Sequence, residues 1–381
     1  MDTRKLYYED SHLMEFTATV TGCEASDKGY LVTLDATAFY PEGGGQACDL
    51  GTLADATVLD VQEKDGQIYH LCDKALSGTV TGKIDAARRF DLMQQHSGEH
   101  IVSGIISRRF GFHNVGFHVG KEAMEIDFDG FVPPQLLDEI EQEANRVVWE
   151  NLSLKCWYPS EEELPGVPYR SKRALPWPVR IVEIPGVDSC ACCGVHVKKT
   201  GEIGLIKLLS CVKFHEGVRI EMLCGGRALG LMQAVFNQNK QVSQFFSAKR
   251  LETGAAAQQV KEQLSAETLR ANTLQTRLFA ATAAGFADKG DVFYEEAGLT
   301  PGQVRELAEA ISKVCGGRAA VFSGNSLCIF CPGQDLRPLG QALQQTFGAR
   351  GGGKTGVWQG SVTADVESLS SFFQAFRTPL V

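Results

Sequence analysis

The chain has 381 residues, of which 44% are hydrophobic and 22% are charged, and its formal net charge is −9. This composition excludes a disordered or fibrous chain and leaves room for two or three globular domains. A polar start and no apolar run of membrane-spanning length predict a cytoplasmic protein with no membrane partner. The negative net charge argues against a protein that coats nucleic acid without selectivity. It does not exclude a local basic surface that binds nucleic acid.

The chain contains 12 cysteines. A protein of this size does not need disulfides to build a core, so reduced thiols are the better interpretation. Cys190, Cys192 and Cys193 form the one dense group, and we expect the other cysteines to be ordinary buried thiols.

Residues 16–85 predict short strands broken by turns. Their β-branched and aromatic segments are separated by hairpin signals such as Asp27-Lys28-Gly29 and Lys64-Asp65-Gly66. The expected strands are 16–20, 30–34, 57–61, 67–71 and 79–84. Regular short strands of this kind are typical of a small β-barrel. The triplet Gly43-Gly44-Gly45 inside this region either lets the backbone approach a ligand closely or is simply a loop.

Two pairs of metal-binding side chains are each spaced four residues apart. His96 and His100 lie in a segment with apolar residues at helical spacing, so both imidazoles would leave one helix face. Cys192 and His196 form the second pair. Each pair alone has an ordinary structural explanation, but three imidazoles and a thiolate together predict a zinc site. Glu99 directly precedes the second histidine, which argues against the zinc-protease motif, where the glutamate directly follows the first.

Helices and strands alternate after the barrel. We expect strands at 123–128, 179–184, 205–209 and 218–223 and a helix over 133–151. Residues 227–284 contain little glycine and predict two long helices, broken near 252–254, that form a hairpin. The remaining residues predict a small α/β region. Its elements are a strand at 291–294, a helix from 300, strands at 318–322 and 326–330, a helix over 335–347, a glycine-rich loop, a strand near 357–358 and a helix from 365.

The fold class that these elements predict is α+β. We expect a β-barrel domain with a glycine-rich loop over residues 1–88 and a zinc-binding α+β domain over 89–226. A helical hairpin connector would occupy 227–285, and a C-terminal α/β domain would occupy 286–381.

Four motifs follow one another in a fixed order. They are residues 39–46 (Phe-Tyr-Pro-Glu-Gly-Gly-Gly-Gln) with Asp49 and Gly51, the two-histidine helix after Arg88-Arg89, the segment 192–197 leading into 200–204, and Arg219-Ile220-Glu221. In this order they resemble the editing half of alanyl-tRNA synthetases and its free-standing relatives, the AlaX editing proteins. The glycine-rich residues 347–356 resemble the C-terminal domain of the synthetases, a module shared with DHH-type phosphoesterases. The sequence has no Asp-His-His triplet, which removes the phosphoesterase interpretation, and we expect no ATP-dependent activation domain.

The resemblance implies a zinc-dependent hydrolase of the long AlaX type that removes serine or glycine from alanine tRNA. It implies a homodimer whose C-terminal domain grips the tRNA. The implied metal ligands are His96, His100, Cys192 and His196, of which the two helical histidines would also be catalytic. Thr37, with Gln46 nearby, either contacts the serine hydroxyl or caps the turn. Further substrate-binding candidates are Gly43, Gly44, Gly45, His118, Lys198, Arg219, Arg350 and Lys354.

Some features depart from the family or leave alternatives open. Cys193 and Val195 differ from the common Cys-Gly-Gly-Thr-His motif, and Cys190 is an additional thiol. His118 is either a residue near the substrate or a buried structural histidine. Whether zinc activates water or positions the substrate also stays open. The competing functions are a zinc-stabilised tRNA-binding or dimerisation module without activity and a deacylase of a different aminoacyl-tRNA. Basic spots that could meet nucleic acid are Arg88-Arg89, Arg108-Arg109, Lys172-Arg173, Lys198-Lys199 and Arg350 with Lys354.

Overall fold

The structure of the protein is a computed structural model, and it describes residues 2–120, 122–171, 175 and 177–376. The chain divides into two compact units, Met1–Gln241 and Val242–Val381. Both units combine helices with sheets, which confirms the α+β class. Within the described residues, no helix combines the length and the apolar character needed to cross a membrane.

The first unit opens with a β-rich region. Its elements are β1 (Arg4–Lys5), α1 (Leu6–Glu9), β2 (Glu15–Ser26), β3 (Gly29–Leu34), β4 (Ala36–Thr37), β5 (Gly51–Leu53), β6 (Ala56–Lys64), β7 (Gln67–Cys72) and β8 (Thr79–Ile84). Six strands close into a barrel in the order β2-β3-β7-β6-β5-β8, and β1 pairs in parallel with β4. Alternate side chains fill the interior, as on β7, where Ile68, His70 and Cys72 are buried.

The rest of the first unit surrounds one long helix. Its elements are α2 (Ala86–Phe110), β9 (Asn114–Val119), β10 (Met124–Phe128), α3 (Leu137–Glu150), β11 (Lys155–Trp157), β12 (Ile181–Ile184), β13 (Asp188–Ala191), β14 (Ile206–Phe214) and β15 (Gly217–Cys224). One sheet has the order β14-β15-β10-β9 and a second has the order β11-β12-β13. All pairings in both sheets are antiparallel.

Helix α2 is the central element of this unit. The carboxylate of Asp85 caps its first turn by accepting the N–H of Arg88 at 3.0 Å, and Gly111 ends it with a φ of +71°. A Cβ at Gly98 would lie 2.2 Å from Sγ of Cys224. The missing side chain therefore lets the middle of α2 pack directly against β15, in the turn that carries the two helical histidines.

Two long helices follow, as the sequence predicts. Helix α4 (Gly225–Phe245) begins in the first unit, and its last residues belong to the second; α5 (Thr253–Ala284) lies in the second. The interruption occupies residues 246–252, slightly before the predicted position.

The second unit is built on one four-stranded sheet. Its further elements are β16 (Gly290–Glu295), α6 (Pro301–Ser312), β17 (Gly316–Ser323), β18 (Ser326–Asp335), α7 (Arg337–Phe347), β19 (Arg350–Ser361) and α8 (Val366–Ala375). The strands have the order β16-β17-β18-β19, and only the first pairing is parallel. One face packs on α6 and the end of α5, and the other packs on α7 and α8.

The predicted glycine-rich loop before residue 357 is wrong, because this stretch is the first half of β19. The glycines have a packing role there. Cβ atoms at Gly351 and Gly353 would lie 2.9 Å and 2.8 Å from the ring of Trp358. The buried indole covers a strip of backbone that has no side chains.

Candidate metal centre

Four side chains from two distant parts of the sequence converge in the first unit. His96 and His100 extend from α2, and Cys192 and His196 lie in the loop after β13. Their donor atoms lie within 4.8 Å of one another. Sγ of Cys192 is 3.4 Å from Nε2 of His96 and 3.4 Å from Nε2 of His196. Tetrahedral zinc bonds of about 2.3 Å to sulfur and about 2.0 Å to nitrogen would separate these atoms by about 3.5 Å, so the residues fit such an ion.

The second ring nitrogen of each histidine also has a partner. When each Nδ1–H donates to an oxygen, each Nε2 keeps the lone pair that binds a metal. These contacts are His96 to Oε1 of Gln46 (2.8 Å), His100 to Oδ2 of Asp188 (3.0 Å) and His196 to Oγ of Ser97 (3.2 Å).

The electrostatics of the cluster favour the ligand form of the cysteine. Burial raises the pKa of Cys192, but the imidazoles of His96, His196 and His100 outweigh it and lower this pKa well below its usual value. Burial lowers the pKa of His196 to about 3, which keeps its ring neutral. Burial also lowers the pKa of His100, yet hydrogen bonds to Asp188 and Cys192 raise it well above its usual value. Metal binding would therefore displace a proton from His100.

Asp188 is held from two sides. Nε and Nη2 of Arg170 donate to its two oxygens at 2.6 Å and 2.8 Å, and His100 donates to Oδ2. Burial raises the pKa of Asp188, but these partners lower it to about 2. Although Asp188, His100 and Cys190 also lie close enough to form a metal-ligand group, both carboxylate oxygens already accept hydrogen bonds. We therefore assign Asp188 to orienting His100, as carboxylates do in zinc sites.

The glycine triplet lies beside the cluster. Gly43 and Gln46 exchange backbone hydrogen bonds at 3.1 Å and 3.0 Å, which closes a tight turn. Gly45 has a φ of +83°, and a Cβ there would lie 2.5 Å from Cδ1 of Phe117. The ring of Phe117 in turn stacks on the imidazole of His96 with 4.9 Å between centroids. A larger residue at position 45 would push this aromatic lid away from the cluster.

Gln46 is the most informative residue of the turn. Its side chain is 1% exposed, and Oε1 accepts from His96. Its Nε2 is buried and has no hydrogen-bond partner among the residues that the structure describes. An unpaired buried donor costs about 1–3 kcal/mol. The amide thus presents a donor beside a candidate metal ligand, suited to an oxygen atom of a bound molecule.

A buried ion pair holds this turn against α2. Arg89 is fully buried, and its Nε donates to both oxygens of Asp49 at 2.9 Å and 3.0 Å. Oδ2 of Asp49 also accepts the backbone N–H of Tyr40 at 2.6 Å, at the start of the glycine-rich segment. The motif residues Asp49 and Arg89 therefore fix the position of Gln46 relative to the helical histidines.

Thr37 faces the barrel interior. Nδ1–H of His70 donates to the carbonyl of Val32 at 3.0 Å, so its Nε2 accepts from the Thr37 hydroxyl at 2.9 Å. The same hydroxyl accepts the N–H of Phe39 at 3.1 Å. This hydrogen bond from the N–H of Phe39 is typical of a threonine that caps its own turn. The Thr37 side chain is fully buried.

Other predicted substrate residues are dispersed. His118 is exposed on β9, on the opposite side of the strand from Phe117. Lys198 pairs with Asp10 at 2.8 Å. Arg219 forms ion pairs with the carboxylates of Glu125 and Asp127, each at 2.7 Å. Arg350 and Lys354 are exposed in the second unit, and Lys172-Arg173 lie outside the described residues.

Sequence reasoning missed several residues around the cluster. Phe117 could have been found from strand alternation, because a strand over 114–119 places it opposite His118. Asp188, Arg170 and Arg180 gave no local signal, because their roles depend on the pairing of β12 with β13 and on contacts between distant loops. Nη1 of Arg180 donates to the carbonyls of Cys192 and Gly194 at 2.9 Å and 2.8 Å, which holds the metal loop in place.

Part of the chain matches a known protein domain family. Residues 179–221, which include Cys192 and His196, match the family described as the threonyl and alanyl tRNA synthetase second additional domain. The chain thus carries a domain of the synthetase accessory type at its candidate metal centre.

Individual relatives narrow the class. The chain is 31% identical to an alanine–tRNA ligase of Thermofilum pendens, over 99% of this chain and 44% of the ligase. It is 36% identical to the alanine–tRNA ligase of Ignicoccus hospitalis, over 59% of this chain and 26% of the ligase. It is 32% identical to the mouse alanyl-tRNA editing protein Aarsd1, over 62% of each chain. The chain thus spans less than two thirds of the length of these relatives.

These similarities confirm the resemblance that the motifs predict. The chain is an AlaX-like protein related to the alanyl-tRNA synthetases.

Proposed function

We propose that this chain is a zinc-dependent aminoacyl-tRNA hydrolase that removes serine, and also glycine, from mischarged alanine tRNA. The names of the relatives support alanyl-tRNA editing, and the donor set of three histidines and one cysteine supports zinc. The observation that carries the proposal is the buried Nε2 of Gln46, which has no hydrogen-bond partner among the described residues, while Oε1 of the same amide accepts from His96. In a purely structural metal site such a donor would only destabilise the fold.

His96, His100, Cys192 and His196 would hold the ion. When bound, zinc acts as a Lewis acid that can polarise an ester carbonyl or lower the pKa of water. The chain itself supplies the rest of the site. Asp188 and Gln46 fix the orientation of the imidazoles, and Phe117 shields the ring of His96.

Nε2 of Gln46 would donate to the carbonyl oxygen of the aminoacyl ester as it gains negative charge. Since an aminoacyl ester is already activated, oriented donors and the exclusion of water contribute more than a strong nucleophile would. The turn of Gly43 to Gln46 keeps this amide rigid, so little reorganisation is needed when the substrate arrives.

Serine must be accepted while the smaller alanine is spared. A site achieves this by hydrogen-bonding the serine hydroxyl, because alanine then leaves a polar group unpaired. Thr37 is the candidate by resemblance, and in this role its hydroxyl would have to exchange His70 for the substrate. Thr37→Val would then lower the preference for serine.

The homodimer and the grip on the tRNA elbow are further parts of the proposal. They rest on the resemblance of residues 286–381 to the C-terminal synthetase domain. The exposed cations Arg350 and Lys354 are suited to phosphate.

One observation favours the second candidate function, a zinc-stabilised binding module without activity. Four protein ligands saturate a tetrahedral ion, which is the pattern of structural zinc sites. A deacylase of a different aminoacyl-tRNA would share the same site, so only a panel of charged tRNAs separates it from the first proposal.

The test is the release of amino acid from Ser-tRNA(Ala), Gly-tRNA(Ala) and Ala-tRNA(Ala) by the purified full chain. We expect release of serine with alanine spared, and its loss in His96→Ala and after chelation. His113→Ala, which changes an exposed histidine paired with Asp129, is the matched control and should stay active. No release by a folded, zinc-loaded protein would refute the hydrolase and favour the binding module.

A further inference from the structure

Two exposed and two half-buried side chains form a patch next to the metal loop, which we name the aromatic mouth. They are Tyr8, Tyr158, Trp177 and Arg180. The hydroxyl of Tyr8 donates to the carbonyl of Cys193 at 2.7 Å, directly after the metal-binding cysteine. Tyr158 and Trp177 are each 52% exposed. None of the four side chains belongs to the candidate metal-ligand set, and the rings of Tyr158 and Trp177 are the parts of the patch that face solvent.

Arg180 connects the patch to the cluster. Its guanidinium lies 4.5 Å from the ring centroid of Tyr8, and its Nη1 holds the carbonyls of Cys192 and Gly194. Within the described part of the chain, its hydrogen bonds are made by Nη1 alone. The remaining N–H groups of Arg180 are therefore available to an anion at the edge of the site.

Tyr158 and Trp177 extend the patch on the same side. The antiparallel pairing of β11 with β12 ends at Trp157 opposite Ile181. The next residue on each strand is Tyr158 and Arg180, so these two side chains leave the end of the ladder as neighbours on one face. Nε1–H of Trp177 donates to the carbonyl of Pro159 at 3.3 Å, which places the indole next to the segment that carries Tyr158.

Exposed aromatic faces combined with a fixed guanidinium are the elements that bind single-stranded nucleic acid. Bases of any sequence stack on the rings, and the cation meets the backbone. A duplex would not use this patch, because its bases are already stacked within the helix. An occupant with unpaired bases and phosphates fits both halves of the patch, and it would enter beside the metal loop.

We propose that the aromatic mouth binds the unpaired 3′ nucleotides of the tRNA, with one base stacked on Tyr158 and a phosphate on Arg180. The inference rests on the proposed function, since it names where the end of that substrate lies. It adds a nucleotide subsite, outside the metal centre, that holds the acceptor end while the ester reaches Gln46.

The test measures binding apart from hydrolysis. Two uncharged RNA hairpins with the same acceptor stem are compared by fluorescence anisotropy on the full chain, one ending in unpaired ACCA and one blunt. We expect the wild type to bind the hairpin with the overhang about tenfold more tightly, as one stacked base would provide. Tyr158→Ala should bind both hairpins equally, and Tyr158→Phe, which keeps the ring, should behave as the wild type.

Trp149→Ala is the matched control, because it removes an aromatic side chain that is 70% exposed on α3. It should retain the preference for the overhang. The inference is overturned if the wild type shows no such preference or if Tyr158→Ala keeps it. Binding of the overhang without hydrolysis of any charged tRNA would refute the proposed function and leave the nucleotide subsite intact.

Discussion

The substitution Gln46→Glu separates the two roles of this side chain. A carboxylate can still accept the Nδ1–H of His96, which Oε1 of Gln46 accepts at 2.8 Å in the wild type. It replaces the buried Nε2 donor, which has no described partner, by an oxygen that cannot donate to an ester carbonyl. Loss of one such donor lowers catalysis by about 100- to 1,000-fold, equivalent to about 2.7–4 kcal/mol of transition-state stabilisation. We expect this fall in the single-turnover rate on Ser-tRNA(Ala), with zinc content retained.

Gln95→Glu provides the comparison. Gln95 is also fully buried, but Nε2 donates to the carbonyl of Cys224 at 2.9 Å and Oε1 accepts its N–H at 2.8 Å. Nε2 also donates to Oδ1 of Asp91 at 3.1 Å. A carboxylate there loses both donated hydrogen bonds and faces a carbonyl and a carboxylate, so its main effect should be lower stability in urea unfolding. Gln46→Glu loses no existing hydrogen bond, and its buried carboxylate has the Nδ1–H of His96 and a bound zinc ion nearby to offset its charge, so its loss of stability should be smaller than that of Gln95→Glu. A Gln46→Glu protein with zinc bound and a rate within about threefold of the wild type would refute the role of the amide.

Further changes test the supports of the site. Asp188→Asn should weaken zinc binding by about 10- to 100-fold in chelator competition, because the imidazole of His100 loses the carboxylate that orients it. An unchanged zinc affinity would contradict this role. Asp49→Ala should destabilise the protein by about 3–5 kcal/mol in urea, because Arg89 is left buried without its partner, whereas Asp55→Ala in an exposed pair should change little. Burial lowers the pKa of His70 to about 4. In the unfolded chain this histidine binds a proton from about pH 6.5 downward, whereas in the folded protein it does so only near pH 4. Stability should fall over this range by up to about 3 kcal/mol, and His70→Gln should flatten the profile; equal slopes would refute it.

The convergence of the four candidate metal ligands was predictable from the sequence. Two histidines four apart on a helix share a face whatever the tertiary structure, and Cys192 with His196 repeats that spacing across a tight loop. Five of the six barrel strands were equally readable, because β-branched segments alternated with turn signals. The three-residue strand β5 was not predicted. Local patterns of this kind survive folding since they depend on neighbours in sequence.

The surroundings of the cluster required the structure. The orientation of the His100 ring depends on Asp188, and the position of the Asp188 carboxylate depends on Arg170. These contacts follow from the register of β12 with β13 rather than from any local pattern. The stretch before Trp358 was predicted as a loop because it is rich in glycine. Its glycines are instead needed where the indole lies against the strand. In both cases a partner distant in sequence decides the conformation.

The hydrolase and the inert zinc module make the same demands on the four ligands, so metal content and folding alone cannot separate them. They differ at Gln46. A buried donor without a partner destabilises the protein by about 1–3 kcal/mol, and an inert module gains nothing from it. A hydrolase recovers this cost when the ester oxygen accepts the hydrogen bond, most strongly in the transition state. Only the hydrolase therefore predicts that Gln46→Glu slows a reaction by about 100-fold or more while zinc content stays nearly unchanged.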